Sequence, residues 1–596
     1  RFLGLCSGLR FCGGIYMNLQ SFSTLLLSLF FAASTFALAP GERVDNFRLL
    51  DEAGSSHELY YFSDTKAFVL MAHNSSCQSM QESVQALAAM QASYADQGVE
   101  FMLINSDLRD DRSAIRASVA DKNIAAPVLM DSTQIIGESL GAMSAGDTLV
   151  INPSNWQVAY FGGAQNAGQA VASLLEGQLP ELTSDNVSAK QDCVVDYPEL
   201  ALRAQHANIS YSDTIAPMLS ENCVTCHRVG GIGPFAMNDY NIVRGFSLMI
   251  REVVRTQRMP PWHADPHFGE FSNNRALSDE EVRTLVHWVE AGAPRGEGAD
   301  LLAEQRRSWP KWVMGEPDVI IEIPTEKIPA SGVVDYKYKM VANPLEKDVW
   351  VKATEIIPGD RTVLHHVITS FGEVATEGRR VGKLKRGSGG GLGGYVPGAP
   401  GMPYPADSGV FLPADATIEF QMHYTTSGLA TSDTSYMGVY LHKEKPEYEL
   451  ETMVLLNPRI RIPAGDANHM EIAQRTLDKD ILVYSLLPHA HFRGKASEFV
   501  ARYADGSEEK LLSVPRYDFN WQTTYSLNEP KLLPAGTQVV HRTWWDNSAR
   551  NPANPDATRV VPWGQQSWDE MLFGAVRYRT VDAGEVDQLA ASGGEE

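Results

Sequence analysis

Cysteine is scarce in this chain of 596 residues: there are six, and none follows Cys226. The C-terminal two-thirds therefore cannot be built on disulfides and must stand on packing and any metal ions. Positive charge is also short, with 50 Lys and Arg against 73 Asp and Glu and a formal net charge of -23. Such a field repels polyanions and excludes nucleic acid as the main partner. Gly and Pro are modest in number and only one apolar run approaches bilayer length, so collagenous, disordered and multi-span membrane classes are excluded. What is present, 44% hydrophobic and 21% charged residues, suits about three to five globular domains.

That apolar run, Thr24 to Ala39, ends in small residues before Pro40. Its length and ending predict a secretory signal, with residues 1–39 an upstream segment and signal peptide. Met17 is the expected start, with cleavage near Ala37. The expectation is a periplasmic or secreted protein of bacterial type, without stable membrane insertion; a retained N-terminal anchor is the alternative. Cys6 and Cys12 precede the expected start.

Over residues 40–180, apolar strand-like runs (Ala67–Ala72, Val99–Asn105, Asp147–Asn152) alternate with helical stretches (Ser79–Asp96, Ser113–Ala120). This predicts an α/β domain with a mixed sheet. Cys77 follows the first run and opens the next helix, where a helix N-terminus lowers a thiol pKa. That context resembles the thioredoxin-like peroxiredoxin/redoxin superfamily over residues 42 to 175. The motif departs from it: Asn74-Ser-Ser-Cys77-Gln-Ser-Met80 has no second cysteine three positions away, and the Pro-x-x-x-Thr-x-x-Cys signature is absent. Cys77 is a candidate redox thiol, with Cys193 as its resolving partner; a degenerate structural or docking domain is the competing reading. Residues 181–208 read as a linker.

Residues 209–300 carry Cys223-Val-Thr-Cys226-His227. The two thiols can each form a thioether to a haem vinyl group, and the adjacent His can supply the proximal iron ligand. Around it, Thr214–Asn222 and Tyr240–Gln257 read as helices, and Ser278-Asp-Glu-Glu281 is a capping box opening a third that Gly292 closes. The segment resembles a small class I cytochrome c, an all-α domain. The sixth ligand is expected on the loop after the second long helix. Met259, in Arg258-Met-Pro-Pro-Trp262, is the choice, with Met237, Met249 and His263 as rivals.

Beyond Asp318 helical periodicity fades and short alternating segments recur between turns, predicting two antiparallel β-sandwich domains over 301–445 and 446–596. Gly387 to Gly394 reads as a surface loop. Five of the eight histidines after residue 300 fall in tight motifs: His365-His366, His423 and His489-Ala-His491. His489 and His491, two apart, project from one strand face and can share a metal. Adjacent His365 and His366 can bind one ion only where the strand ends or bulges. His423 points away from Ile418, Phe420 and Met422, on the face of Glu419 and Gln421.

Here the chain resembles the copper type II, ascorbate-dependent monooxygenases, the peptidylglycine α-hydroxylating and dopamine β-monooxygenase family, over about residues 318 to 580. The motifs Leu364-His-His-Val367, Met422-His-Tyr424, Pro488-His-Ala-His-Phe492 and Ser567-Trp-Asp-Glu-Met571 carry it, in family order. The resemblance implies jelly-roll-like sandwiches, a first copper on His365, His366 and His423, and a second, catalytic copper on His489, His491 and Met571. Imidazoles suit copper, and an added thioether favours Cu(I) over zinc. The family's substrate-carboxylate arginine falls at Leu487, and its asparagine and tyrosine after the methionine fall at Phe573 and Ala575. The pocket beside the second copper is therefore expected to be apolar.

Together these features predict an exported haem–copper monooxygenase that hydroxylates a C–H bond of a small apolar substrate with O2. It needs an electron donor to its haem, which takes the place of ascorbate. The alternatives are a non-catalytic copper-binding or electron-transfer protein and a thiol peroxidase centred on Cys77.

Overall fold

A computed structural model describes residues 38–585 apart from 143, 179–182, 185–192, 305–309, 377–380, 386–388, 399–400, 402 and 583. The expected signal segment up to residue 37, with Met17, Cys6 and Cys12, lies outside the described residues. No helix among the described residues is long and apolar enough to cross a membrane.

The N-terminal part is a thioredoxin-like α/β domain around a mixed sheet of eight strands. Its centre is Ala67–His73, buried along its whole length. That strand runs parallel to Val99–Asn105 on one side and antiparallel to Asp147–Asn152 on the other. Its continuous apolar run follows from burial on both faces. Ala67, Val69 and Met71 pack under helices Gln81–Tyr94 and Ala167–Leu175. Phe68, Leu70 and Ala72 face the other way. They join an apolar cluster continuous with Ile215, Leu219, Ile250, Leu285 and Trp288 of the next module. Two successive modules thus share one core.

That next module is helical: Ala216–Asn222, Tyr240–Gly245, Ser247–Arg255, Asp279–Glu290 and Leu301–Glu304. The capping box forms as expected, Ser278 accepting from the Glu281 N–H and the Glu281 carboxylate accepting from the Ser278 N–H. The single helix expected over Tyr240–Gln257 is instead two. Phe246 leaves helical geometry (φ -100, ψ 5) just after Gly245, the weakest helix former in the stretch. Its ring stacks on Phe235 at 4.0 Å.

The rest is antiparallel β-structure. Sheets of five and four strands enclose one core, with Val351, Met437 and Val439 from one and Val367, Phe420 and Met422 from the other. Two four-stranded sheets enclose a second core, with Leu455, Leu486 and Val576 facing Phe499, Leu512 and Val539. The glycine-rich segment is not a free surface loop where it is described (386–388 lie outside). Gly393–Tyr395 is a strand paired to Val367–Thr369. A Cβ on Gly389 would sit 1.9 Å from the Phe371 carbonyl oxygen, so the glycines let one backbone lie directly on another.

Candidate metal centres

The first histidine set is made by a slip in strand pairing. Strands Leu364–Gly372 and Thr417–Tyr424 pair as Leu364↔Tyr424 and then His366↔His423, leaving His365 as an extra residue. The bulge turns two neighbouring side chains to one side. Ring centroids lie 5.4 Å apart for His365–His366 and 4.9 Å for each of them to His423. Nδ1 of His365 and Nδ1 of His366 are 3.2 Å apart, near the roughly 3 Å between two nitrogens held at about 2 Å from a common ion. One ligand atom from each of the three histidines falls within 4.8 Å of the others.

The second set stands at the end of strand Ile481–His489, whose neighbour is Leu572–Thr580. The His489 and His491 ring centroids are 5.2 Å apart. His489 pairs with Phe573, two residues beyond Met571, whose backbone N–H lies 3.4 Å from the Glu570 carboxylate. A buried clamp holds this turn. The Glu570 carboxylate accepts from the backbone N–H groups of His491 (2.8 Å) and Arg493 (2.6 Å) and from the Trp545 indole (2.9 Å). Burial pushes the Glu570 carboxyl up to about 7, against the pull of those three donors and of Arg493. The fully buried Arg493 guanidinium donates to Asn547 and to the carbonyls of Trp568 and Asp556.

Hydrogen bonds fix the tautomers. His489 Nδ1 donates to the Gln522 side-chain oxygen (2.8 Å), and His491 Nδ1 donates to the Asp569 carbonyl (3.3 Å). Each thereby keeps an Nε2 lone pair for a metal. His365 Nε2, His423 Nδ1 and His491 Nε2 are buried without a hydrogen-bond partner, a cost of about 1–3 kcal/mol each unless something fills the role. Burial, aided by the neighbouring imidazoles, lowers the pKa of His365 to about 4 and of His423 to about 3, and burial lowers that of His489 to about 4. His366 and His491 fall well below the usual range for the same reasons. All five are neutral at physiological pH, as metal binding requires. The donor set fits copper.

The two sets adjoin. The His366 and His489 ring centroids are 6.4 Å apart. The Gln522 amide joins them, its oxygen on His489 and its nitrogen 3.4 Å from His366 Nδ1. Phe519 stacks on His365 at 4.8 Å and meets His491 edge-on at 5.9 Å, while Tyr336 packs against His423 at 4.6 Å. Sequence reasoning missed Gln522, Phe519 and Tyr336, which sit in irregular segments without a motif. Leu487 pairs with Ala575 beside the His489–Phe573 pair. Met571, Phe573 and Ala575 share one half-buried face.

In the helical module, His227 Nδ1 donates to the Phe235 carbonyl (3.1 Å), leaving Nε2 free. A Cβ on Gly233 would lie 2.7 Å from that Nδ1, so only glycine lets the chain pass behind the ring. Cys223 and Cys226 are unbonded thiols. Burial pushes Cys223 up to about 12 and raises Cys226 too, the opposite of a redox-active pair, whose thiol pKa is lowered. The donors fit a thioether-linked haem. Met237 follows Phe235 behind the imidazole, its N–H on the His227 carbonyl, and Met249 is half exposed. Met259 and the buried His263 line a cleft of about 1140 Å³ whose walls include Arg48, Asp107, Arg112 and Asp265. None of Cys223, Cys226 and His227 lines that cleft. Cys226 instead meets the β-domains: a Cβ on Gly398 would lie 3.5 Å from its Sγ and 3.2 Å from the Trp521 ring.

Cys77, fully buried, is disulfide-bonded to Cys193 across 116 residues. It caps a short 3-10 turn, Gln78–Met80, ahead of the helix.

Residues 40–160 match the AhpC/TSA family. Among solved structures, the chain is similar to a hypothetical protein from Sinorhizobium meliloti 1021 (21% identity, 27% of this chain and 96% of that one, TM-score 0.24). It is also similar to a putative thiol:disulfide interchange protein DsbE from Chlorobium tepidum (18% identity, 23% and 99%, TM-score 0.21). A third similar structure is the peroxidoxin BcpB from Mycobacterium tuberculosis (16% identity, 23% and 96%, TM-score 0.20). No curated protein matches.

Proposed function

We propose that this chain, in which an AhpC/TSA-type domain over residues 40–160 precedes a helical module and two β-domains, is an exported haem–copper monooxygenase. His365, His366 and His423 would hold one copper, and His489, His491 and Met571 a second. Cys223 and Cys226 would carry a covalent haem ligated by His227, with Met259 as its sixth ligand. Bound copper supplies one-electron chemistry and a place for O2, and a His/Met haem supplies a one-electron relay. The observation that carries the reading is the convergence of five neutral histidines, four of them buried and three with an unpartnered ring nitrogen.

The chain's own residues supply the rest. Leu487, Phe573 and Ala575 give the second set an apolar flank without a charged anchor, which suits a small apolar substrate. Cys226 beside Gly398 and Trp521, followed by Gln522 on both histidine sets, forms a short route for electrons entering at the helical module. Oxygen uptake tests the reading. Protein with one haem c and two coppers should consume O2 when reduced and hydroxylate members of a panel of small apolar molecules. Zinc in their place, or no metal beyond iron, refutes it. A second reading, a non-catalytic copper electron-transfer protein, draws on Phe519, whose ring packs against both sets. Two coppers with no O2 uptake would establish it.

A further inference from the structure

We propose that Glu199, His206 and His287 hold a third metal ion, a divalent ion of the zinc class, which pins the redoxin domain to the helical module. One ligand atom from each of the three residues falls within 4.8 Å of the others. They come from three stretches: Glu199 from helix Pro198–Leu202, His206 from the 3-10 turn Arg203–Asn208, and His287 from helix Asp279–Glu290. Behind them stands Glu138, on helix Ile135–Leu140 of the redoxin domain. Both histidines are buried, at 7% and 3% exposure.

The hydrogen bonds point to a missing cation. His287 Nε2 lies 3.1 Å from the Glu138 carboxylate. A carboxylate only accepts, so Nε2 carries the proton and Nδ1 of the neutral ring is a lone pair. That lone pair faces the Glu199 carboxylate oxygen at 3.9 Å, a repulsive pairing unless a positive charge lies between. His206 Nε2 stands 2.8 Å from the same oxygen, close enough for both to be ligands of one ion. The imidazole rings of His206 and His287 stack at 4.1 Å, 11° from parallel. In the metal-free protein His206 Nε2–H donates to Glu199, so binding one shared ion displaces that proton and leaves both rings as ligands. The order Glu138–His287–ion is the carboxylate–histidine–metal arrangement that orients a ligand ring. Two imidazoles and a carboxylate suit zinc-class ions.

Full-length protein dialysed against Co2+ or Zn2+ alone provides the test. One equivalent beyond any taken up by the His365/His366/His423 and His489/His491 sets should bind with a visible cobalt absorption band. It should be lost in His206→Ala and in His287→Ala, yet retained in a His365→Ala/His366→Ala double variant, which separates this site from the proposed copper ligands. Glu138→Gln, which keeps side-chain size and a hydrogen bond, should weaken binding about 10–100-fold and remains readable if the alanine variants do not fold. A chelator should lower Tm in the wild type and not in the His287→Ala variant. Equal stoichiometry in wild type and His287→Ala, or a Tm that responds to pH and not to chelator, overturns the site.

Discussion

The two histidine sets differ in what holds them. The first is written into backbone pairing: one bulge between two central strands brings His365, His366 and His423 together on the sheet face opposite the sandwich core, against the second β-domain. The second lies past a strand end, and His491 and Met571 owe their positions to a buried polar clamp of Glu570 and Arg493. Regular strand pairing keeps its geometry through many small contributions, whereas a desolvated charged clamp is retained only as a whole. The first site should therefore tolerate changes around it, and the second should fail abruptly.

Breaking the clamp gives the largest expected effect. Arg493→Met would remove the donor to Asn547, Trp568 and Asp556 and the positive charge beside the buried Glu570 carboxyl, costing about 3–5 kcal/mol. Denaturant melts should show the loss, and copper per chain should fall from two to one. His366→Ala attacks the other side, weakening copper at the first set by at least about 100-fold. Competition titration should show the second set's affinity unchanged. Acid sharpens the contrast through His541, fully buried behind the second set with its Nε2 on Ser497 at 2.7 Å. Burial depresses its pKa to about 3. Its neutral form therefore contributes stability that is complete above about 6.5 and lost as pH falls toward 3, by up to about 1.4 kcal/mol per pH unit. Melts of metal-free protein between pH 7 and 4 would register this.

Gln522→Leu removes the acceptor that fixes the His489 tautomer, with an expected loss of about 10-fold in copper affinity at the second set and less at the first. It should also slow electron transfer from reduced haem, followed by stopped-flow absorbance. The smallest effect is expected from Cys77→Ser, which opens the disulfide to Cys193 far from either set. Oxygen uptake should not change, and a loss of peroxide turnover instead would favour the thiol peroxidase.

What could be read in the chain was whatever repeats or clusters locally. The apolar run Ala67–Ala72, the capping box at Ser278, and the His-His and His-Ala-His pairs all declare themselves over a few residues. Contacts between distant segments were not legible. The pairing of Cys77 with Cys193 could be reached because they were the two cysteines left over, but nothing links Glu138 to His287, or Gln522 to two histidines, except the fold. The break at Phe246 was hidden because apolar periodicity continues through it, and the glycine-rich run looked solvated because side-chain absence signals both freedom and close backbone contact.

The setting of Cys226 constrains how such a protein can be made. Its sulfur lies against Gly398 and near Trp521, residues added to the growing chain well after the helical module is complete. If that sulfur carries the proposed haem, the enzyme that joins them needs room beside Gly398 that docking of the β-domains narrows. Ligation must then precede docking of the β-domains, so cells lacking the ligation machinery should accumulate chains whose C-terminal half stays open to protease.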